Sequence, residues 1–179
     1  MKSTLLIPAA LTLALSGCVT TPAVDTSRAV PISDILSILA ERPYECGNYR
    51  PGSDACEYVA TYTPRGAGYV GRADLAFQDN PPVTGFFTLD MSVEGDALCA
   101  PASSLKVQVR GADAGTNTVF NRALQQVFSG YQTICGRYYR TGPDTFLAIS
   151  TDRAGNELPD GRSTVRFFDA PKSLYVSSR

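Results

Sequence analysis

The sequence predicts a small antiparallel α+β domain that is rich in strands and carries two helices. Apolar and polar residues alternate strictly over residues 86–94, and the same alternation recurs over residues 105–110. A period of two is typical of strands with one buried and one solvated face. Over residues 118–129 the apolar residues instead recur with a helical period, and Gly130 follows where a C-terminal cap is expected.

The other elements follow from the same patterns. Apolar residues between Pro31 and Pro43 share one face, which predicts a first helix. Residues 44–54 are rich in Gly, Pro, Asn and Ser, so this stretch is predicted to be a loop. Further strands are predicted at 56–62, 69–78, 131–140, 145–151 and 162–168, with turns at 64–68 and 79–82.

The order of these elements suggests a finer architecture. Three strands, a helix and then further strands match an OB-like barrel, in which the helix lies between the third and fourth strands. Several other small barrels and sandwiches share this order. We therefore expect one domain over residues 31–179, with the OB-like barrel as its most specific form.

The five cysteines predict where disulfide bonds form. Cys46, Cys56, Cys99 and Cys135 lie in the predicted domain, and Cys18 precedes it. If the chain is exported, an even set of cysteines indicates two disulfides, and four cysteines allow three pairings. We favour Cys46–Cys56 and Cys99–Cys135, because short loops close at the lowest entropic cost. A zinc site is the alternative, but the chain has no C-x-x-C pair and no His.

The first 17 residues have the layout of a secretory signal peptide. Lys2 supplies a positive charge, residues 5–15 form a short apolar run, and small residues follow. The run is too short for a transmembrane helix, which needs about 20 apolar residues. We expect this segment to direct export and then to be removed.

The end of this segment, Leu15-Ser16-Gly17-Cys18, resembles the lipobox of bacterial lipoproteins. The resemblance implies cleavage before Cys18, diacylglycerol on its thiol and acylation of the new amino terminus. Val19 is not Asp, which in lipoproteins of two-membrane bacteria implies transfer to the outer membrane. Residues 18–30 would then be the lipidated Cys18 and a flexible tether, with the domain facing the periplasm.

Charge and composition exclude several classes of function. Without Lys2, 15 basic and 17 acidic residues remain, a formal charge of −2. Such a balance gives no reason to expect a nucleic-acid partner. Without His there is no Ser-His-Asp or Cys-His arrangement. No metal or cofactor is expected, and residues 66–71 match G-x-G-x-x-G only by letters, since a strand rather than a helix follows.

Acidic residues leave two weaker possibilities. Asp90 and Glu94 share one strand face but would be about 13 Å apart, too far for a glycosidase pair. Residues 152–160 contain four oxygen-bearing side chains without the spacing of a calcium loop. We interpret the first pair as a solvated face and the second group as turn residues.

The best candidate contact surface lies in the last third of the chain. If Cys135 points inward, period two leaves Tyr138 and Arg140 outside, and Arg166 faces water on its own strand. This register also leaves Ile134 outside, which counts against it. We predict that Tyr138, Arg140 and Arg166 form one exposed patch, since Tyr and Arg are favoured at protein interfaces.

These observations predict a non-enzymatic lipoprotein of the outer membrane with a binding or structural role in the cell envelope. Its expected partners are the membrane, through acylated Cys18, and an envelope protein or peptidoglycan. One alternative is an inhibitor of a secreted hydrolase such as lysozyme. Ser129-Gly130-Tyr131 resembles the S-G-x-x-Y motif of that class, but the Tyr comes two positions early. A hydrolase that uses carboxylates is the other alternative.

Overall fold

The structure, a computed structural model, describes residues 26–111 and 113–177. Its elements are α1 (Ile32–Glu41), β1 (Tyr44–Gly47), β2 (Ala55–Cys56), β3 (Tyr58–Arg65), β4 (Gly68–Asp79), β5 (Pro82–Glu94), β6 (Ala97–Pro101), a 3₁₀ turn (Ala102–Ser104), β7 (Lys106–Arg110), α2 (Ala114–Ser129), β8 (Thr133–Arg140), β9 (Phe146–Thr151), β10 (Glu157–Phe168) and β11 (Ser173–Leu174). A small antiparallel β-rich domain with two helices is confirmed.

Eight of the described strands form a closed antiparallel barrel. The ring runs β1, β3, β4, β5, β6, β8, β9 and β10, and β10 returns to pair with β1. Neighbours in the ring also follow one another along the chain, so the barrel is an up-and-down meander. The OB fold is a five-stranded Greek-key barrel. The OB-like arrangement is therefore not confirmed.

Three short strands lie beside the ring. β7 pairs with the first half of β5, and β2 pairs in parallel with β11. An interior enclosed by eight strands is just wide enough to be filled by side chains or to hold one small ligand.

The first helix, α1, packs its apolar face against the barrel interior. Ile32, Ile35 and Leu39 are buried and contact inward-facing side chains such as Phe146 and Phe167. Those two rings meet edge to face, with centroids 5.5 Å apart. The sequence pattern between Pro31 and Pro43 thus identified both the helix and its buried face.

The second helix, α2, covers the β5–β7 region of the barrel. The Phe128 ring lies 5.8 Å from the Phe87 ring. The helix begins earlier than predicted, because the Asp113 carboxylate accepts a hydrogen bond from the Thr116 backbone N–H at 3.0 Å. Val119 is 67% exposed, so the apolar stripe of α2 is only partly buried. Among the described residues, neither helix is long and apolar enough to cross a membrane.

Both predicted disulfides are confirmed. Cys46 is bonded to Cys56, and Cys99 to Cys135. Cys99 and Cys135 lie directly opposite each other on β6 and β8. The second bridge therefore joins two neighbouring strands of the barrel wall.

The predicted register of β8 is wrong. Tyr138 is buried with α1 in the interior, and Ile134 lines an interior cavity. Cys135 points to the other face of the wall, where it clusters with Ala97 and Cys99. A disulfide between adjacent strands takes up little space and fits on either face of the wall. The large Tyr138 ring requires the space inside the barrel.

The predicted loop over residues 44–54 is also partly wrong. Its first four residues form β1, which pairs with both β3 and β10 and closes the barrel. A four-residue strand is too short to show a clear alternation.

Candidate functional site

A buried carboxyl group surrounded by three tyrosines lies inside the barrel. Glu45 on β1 is 3% exposed. Tyr58 and Tyr62 reach it from β3, and Tyr138 reaches it from β8. We call these four residues the interior cluster.

The contacts in the interior cluster form a closed network. The Tyr58 hydroxyl donates to Glu45 Oε1 at 3.0 Å. Glu45 Oε2 lies 2.9 Å from the Tyr62 hydroxyl and 2.7 Å from the Tyr138 hydroxyl. Those two hydroxyls lie 3.1 Å from each other. Three oxygens, Glu45 Oε2 and the Tyr62 and Tyr138 hydroxyls, are thus mutually in contact.

A glycine makes room for this arrangement. The Tyr58 ring lies directly over Gly47, its cross-strand partner on β1. A Cβ added to Gly47 would lie 2.0 Å from Tyr58 Cε1, which is far inside van der Waals contact. Only glycine at this position lets the Tyr58 ring reach across the strand to Glu45.

Counting protons indicates the charge state of Glu45. The network has four contacts, and each tyrosine hydroxyl carries one proton. A charged Glu45 leaves one contact without a hydrogen, whereas a neutral Glu45 supplies the fourth. In that neutral form the carboxyl hydrogen would lie in one of the two contacts at Oε2, and the Tyr62–Tyr138 contact would also carry a hydrogen.

Electrostatics favours the same state. Burial raises the pKa of the Glu45 carboxyl, and the hydrogen bonds from Tyr138, Tyr62 and Tyr58 only partly oppose this rise. Burial likewise raises the pKa of each tyrosine in the cluster well above its usual value, and a negative charge on Glu45 would raise it further. Burial thus shifts all four groups toward their protonated, neutral forms.

An apolar cavity of about 210 Å³ lies next to the interior cluster. Tyr62 and Ala60 form part of its wall, β4 and β5 contribute Ala73 and Leu89, and Phe128 of α2 closes it. Leu105 and Phe128 also line a groove of about 540 Å³. The interior cavity and the groove therefore share part of their lining.

The candidate residues from the sequence fall in different places. Cys18 lies outside the described residues. The four other cysteines form the predicted disulfides. Tyr138 was predicted to be exposed, and this is wrong, because it is 4% exposed in the interior cluster.

The predicted patch of Tyr138, Arg140 and Arg166 does not form. Arg140 and Arg166 are both exposed, as predicted. Phe146 is the cross-strand partner of both Arg140 on β8 and Val165 on β10, so these three side chains lie on the same side of the wall. Arg166, the residue after Val165, therefore points to the opposite side. Arg140 donates to the carbonyl of Pro143 at 2.8 Å, and Arg166 lies over the Tyr49 ring instead.

The acidic residues weighed in the sequence have local partners. Asp90 forms an ion pair with Arg65, and Glu94 forms one with Arg153 at 3.1 Å. The Asp152 carboxylate accepts hydrogen bonds from the backbone and side-chain amides of Asn156, at 2.9 and 2.8 Å. These contacts fit the interpretation of Asp90 and Glu94 as a solvated face and of Asp152 and Asn156 as turn residues. The turn interpretation is wrong for Glu157 and Asp160, which lie in β10.

Sequence reasoning missed Glu45, the centre of the interior cluster. Its neighbours Tyr44 and Cys46 lie between a helix stop and a Gly-Asn turn, which favoured a loop. The only signal was the even spacing of Tyr58, Ala60 and Tyr62 on one strand face, which placed two tyrosines on the same side without indicating their partner.

Comparison with known proteins finds no match. No family model, curated protein or solved structure matches this chain.

Proposed function

We propose that this chain is an outer-membrane lipoprotein with a non-enzymatic binding role in the cell envelope, anchored through acylated Cys18 and facing the periplasm. The observation that carries the proposal is Leu15-Ser16-Gly17-Cys18 at the end of a charged and apolar leader. The cysteine pairing supports it, because two disulfides use four cysteines and leave Cys18 for the lipid. Disulfides are typical of exported proteins.

The interior supports a binding rather than a catalytic role. Both oxygens of the Glu45 carboxyl are engaged by tyrosine hydroxyls, and the group is almost inaccessible to solvent. The neighbouring cavity is lined mainly by apolar side chains. An engineered apolar cavity of about 150 Å³ stays dry and binds benzene, so a cavity of this size can hold a small apolar molecule. We propose such a molecule as the ligand of the barrel.

The anchor is tested by replacing Cys18 with Ala. We expect the variant to incorporate no labelled fatty acid and to accumulate as an uncut or mislocalised precursor, because the lipid acceptor is lost. Cys46→Ala, which removes another cysteine, should retain the label. Normal maturation and membrane retention of Cys18→Ala would contradict the lipoprotein proposal.

The cavity is tested with toluene as the probe. We expect saturating toluene to raise the melting temperature of the wild-type domain, since a ligand that binds only the folded state stabilises it. Ala73→Leu should abolish this rise by filling the cavity. Ala67→Leu is the matched control, because Ala67 lies exposed in the β3–β4 turn. An equal rise in all three proteins would show that toluene binds elsewhere, and no rise in the wild type would contradict an apolar ligand.

A further inference from the structure

A polar cleft of about 350 Å³ lies on the outer surface of the barrel, away from the interior cavity. It is formed by the end of β1, the turn before β9, β10 and the C-terminal segment. The residues that line it share a polar or aromatic character: Asn48, Tyr49, Arg50, Thr145, Thr164, Arg166 and Tyr175. Two of them carry positive charge, and none carries negative charge.

Each guanidinium in the cleft lies near an aromatic ring. The Arg50 Cζ lies 3.7 Å from the centroid of the Tyr175 ring, which is a stacked arrangement, and the Arg166 Cζ lies 5.7 Å from the centroid of the Tyr49 ring. Stacking leaves the in-plane N–H groups of the Arg50 guanidinium available to a ligand. Arg50 therefore has a defined position with accessible donors, and Arg166 adds a second positive charge on the same wall.

Neither cation is neutralised by an acid. Within residues 26–111 and 113–177, the ion pairs involve other basic residues, and neither Arg50 nor Arg166 takes part in one. The nearby Asp54 carboxylate accepts from the Tyr49 hydroxyl at 2.7 Å and pairs with Lys172. Its charge is thus already balanced. The Glu57 carboxylate accepts from the Asn48 side chain at 2.6 Å, so two guanidinium charges lie beside one further carboxylate and the cleft keeps a net positive charge.

The surrounding contacts make the cleft rigid. The Tyr175 hydroxyl donates to the Asn48 carbonyl at 2.7 Å, and the Thr164 backbone N–H donates to the Asn48 side chain at 3.1 Å. The Cys46–Cys56 disulfide links β1 to β2, and the Tyr175 backbone N–H donates to the Cys56 carbonyl at 2.9 Å. The C-terminal segment that carries Tyr175 is therefore tied to the strand that leads to Arg50.

We propose that this cleft binds a carboxylate group of an organic molecule. The planar fork of a guanidinium matches a carboxylate through two parallel hydrogen bonds. Phosphate sites commonly use the N-terminus of a helix or a nest of backbone N–H groups, and none of the cleft residues lies in a helix. The tyrosine rings offer apolar surface for the carbon skeleton beside the carboxylate. This proposal does not depend on lipidation or on the interior cavity.

The test titrates the full domain with succinate and follows the side-chain Nε–Hε resonances of Arg50 and Arg166. We expect saturable shifts at both groups. Arg50→Gln/Arg166→Gln should weaken binding by about tenfold or more, since each lost charge-assisted hydrogen bond has a large effect. Arg153→Gln/Arg162→Gln is the control with the same loss of charge, because both arginines are exposed and paired with glutamates elsewhere. It should bind succinate like the wild type.

Three results would overturn the proposal: no saturable binding, equal weakening in both double variants, or tighter binding of inorganic phosphate than of succinate at equal ionic strength. Melting temperatures show whether each variant is folded. If Arg50→Gln/Arg166→Gln unfolds, the single variants Arg50→Lys and Arg166→Lys replace it, because lysine keeps the charge but lacks the fork. Each lysine variant should then weaken succinate binding, and unchanged affinity in both would overturn the proposal equally.

Discussion

Replacing Glu45 with Ala should lower the free energy of unfolding by about 3–5 kcal/mol, because all three buried tyrosine hydroxyls lose their contact to the carboxyl. An unsatisfied buried polar group costs about 1–3 kcal/mol, and the remaining contact between Tyr62 and Tyr138 only partly offsets the loss. The lost side-chain volume adds a cavity in the centre of the barrel. Urea denaturation of the wild type and the variant measures the difference.

Glu45→Gln is the matched control, since glutamine has the same shape and can both donate and accept. If Glu45 is neutral in the folded protein, this variant should lose much less stability than Glu45→Ala. A loss as large as that of the Ala variant would show that the interior cluster requires a charged carboxylate and would contradict the proton count.

The pH dependence of the two proteins provides an independent check. The pKa of Glu45 is raised above its usual value of 4.5 in the folded state. The stability that the protonated group contributes is therefore fully present below about pH 4.5 and is lost as the pH rises through the folded pKa. Glu45→Gln has no such titration. We expect its stability relative to the wild type to increase as the pH rises from 4.5, and a constant difference would contradict a raised pKa.

Removing the Cys99–Cys135 disulfide should lower the free energy of unfolding by about 4 kcal/mol. The two cysteines are 36 residues apart, and in the chain-entropy model a loop of this length constrains the unfolded chain by about that amount. Cys46 and Cys56 are only 10 residues apart, so the same model gives about 3 kcal/mol for their bridge. Denaturation of Cys99→Ala/Cys135→Ala and Cys46→Ala/Cys56→Ala measures both values.

Reduction of the wild type controls for the substitutions. Adding a reductant should lower the stability of the wild-type domain. It should not change the stability of a variant in which all four disulfide cysteines are replaced. If Cys46→Ala/Cys56→Ala loses more stability than the other pair, then native contacts of β2 and the C-terminal segment, rather than loop entropy, determine the contribution of that bridge.

Local patterns predicted most of the barrel wall. β5 alternates strictly because one of its faces packs inward and the other faces solvent, and the glycine-containing turn before β4 is visible in the residues themselves. The cysteine pairs were also predictable, since chain separation controls the entropy of closure. None of these inferences requires knowledge of distant contacts.

The failures involve contacts between distant parts of the chain. The direction of Tyr138 depends on Glu45, which lies 93 residues away and was assigned to a loop. The Cys99–Cys135 bridge suggested an inward Cys135, but cross-strand geometry allows the bridge on either face of the wall. Ile134 provided the contrary signal, because an isoleucine is better accommodated beside an interior cavity than in water.

The sequence by itself determined the strand-rich class, the two helices and the disulfide partners, because each depends on periodicity, composition or separation along the chain. The export leader stays a prediction from the same kind of pattern. Only the tertiary structure decided that the sheet closes between β1 and β10, that Glu45 meets three tyrosines, and that Arg50 joins Arg166 in one cleft. The physical reason is that barrel closure brings together residues more than 90 positions apart, and no local pattern encodes which of them will meet.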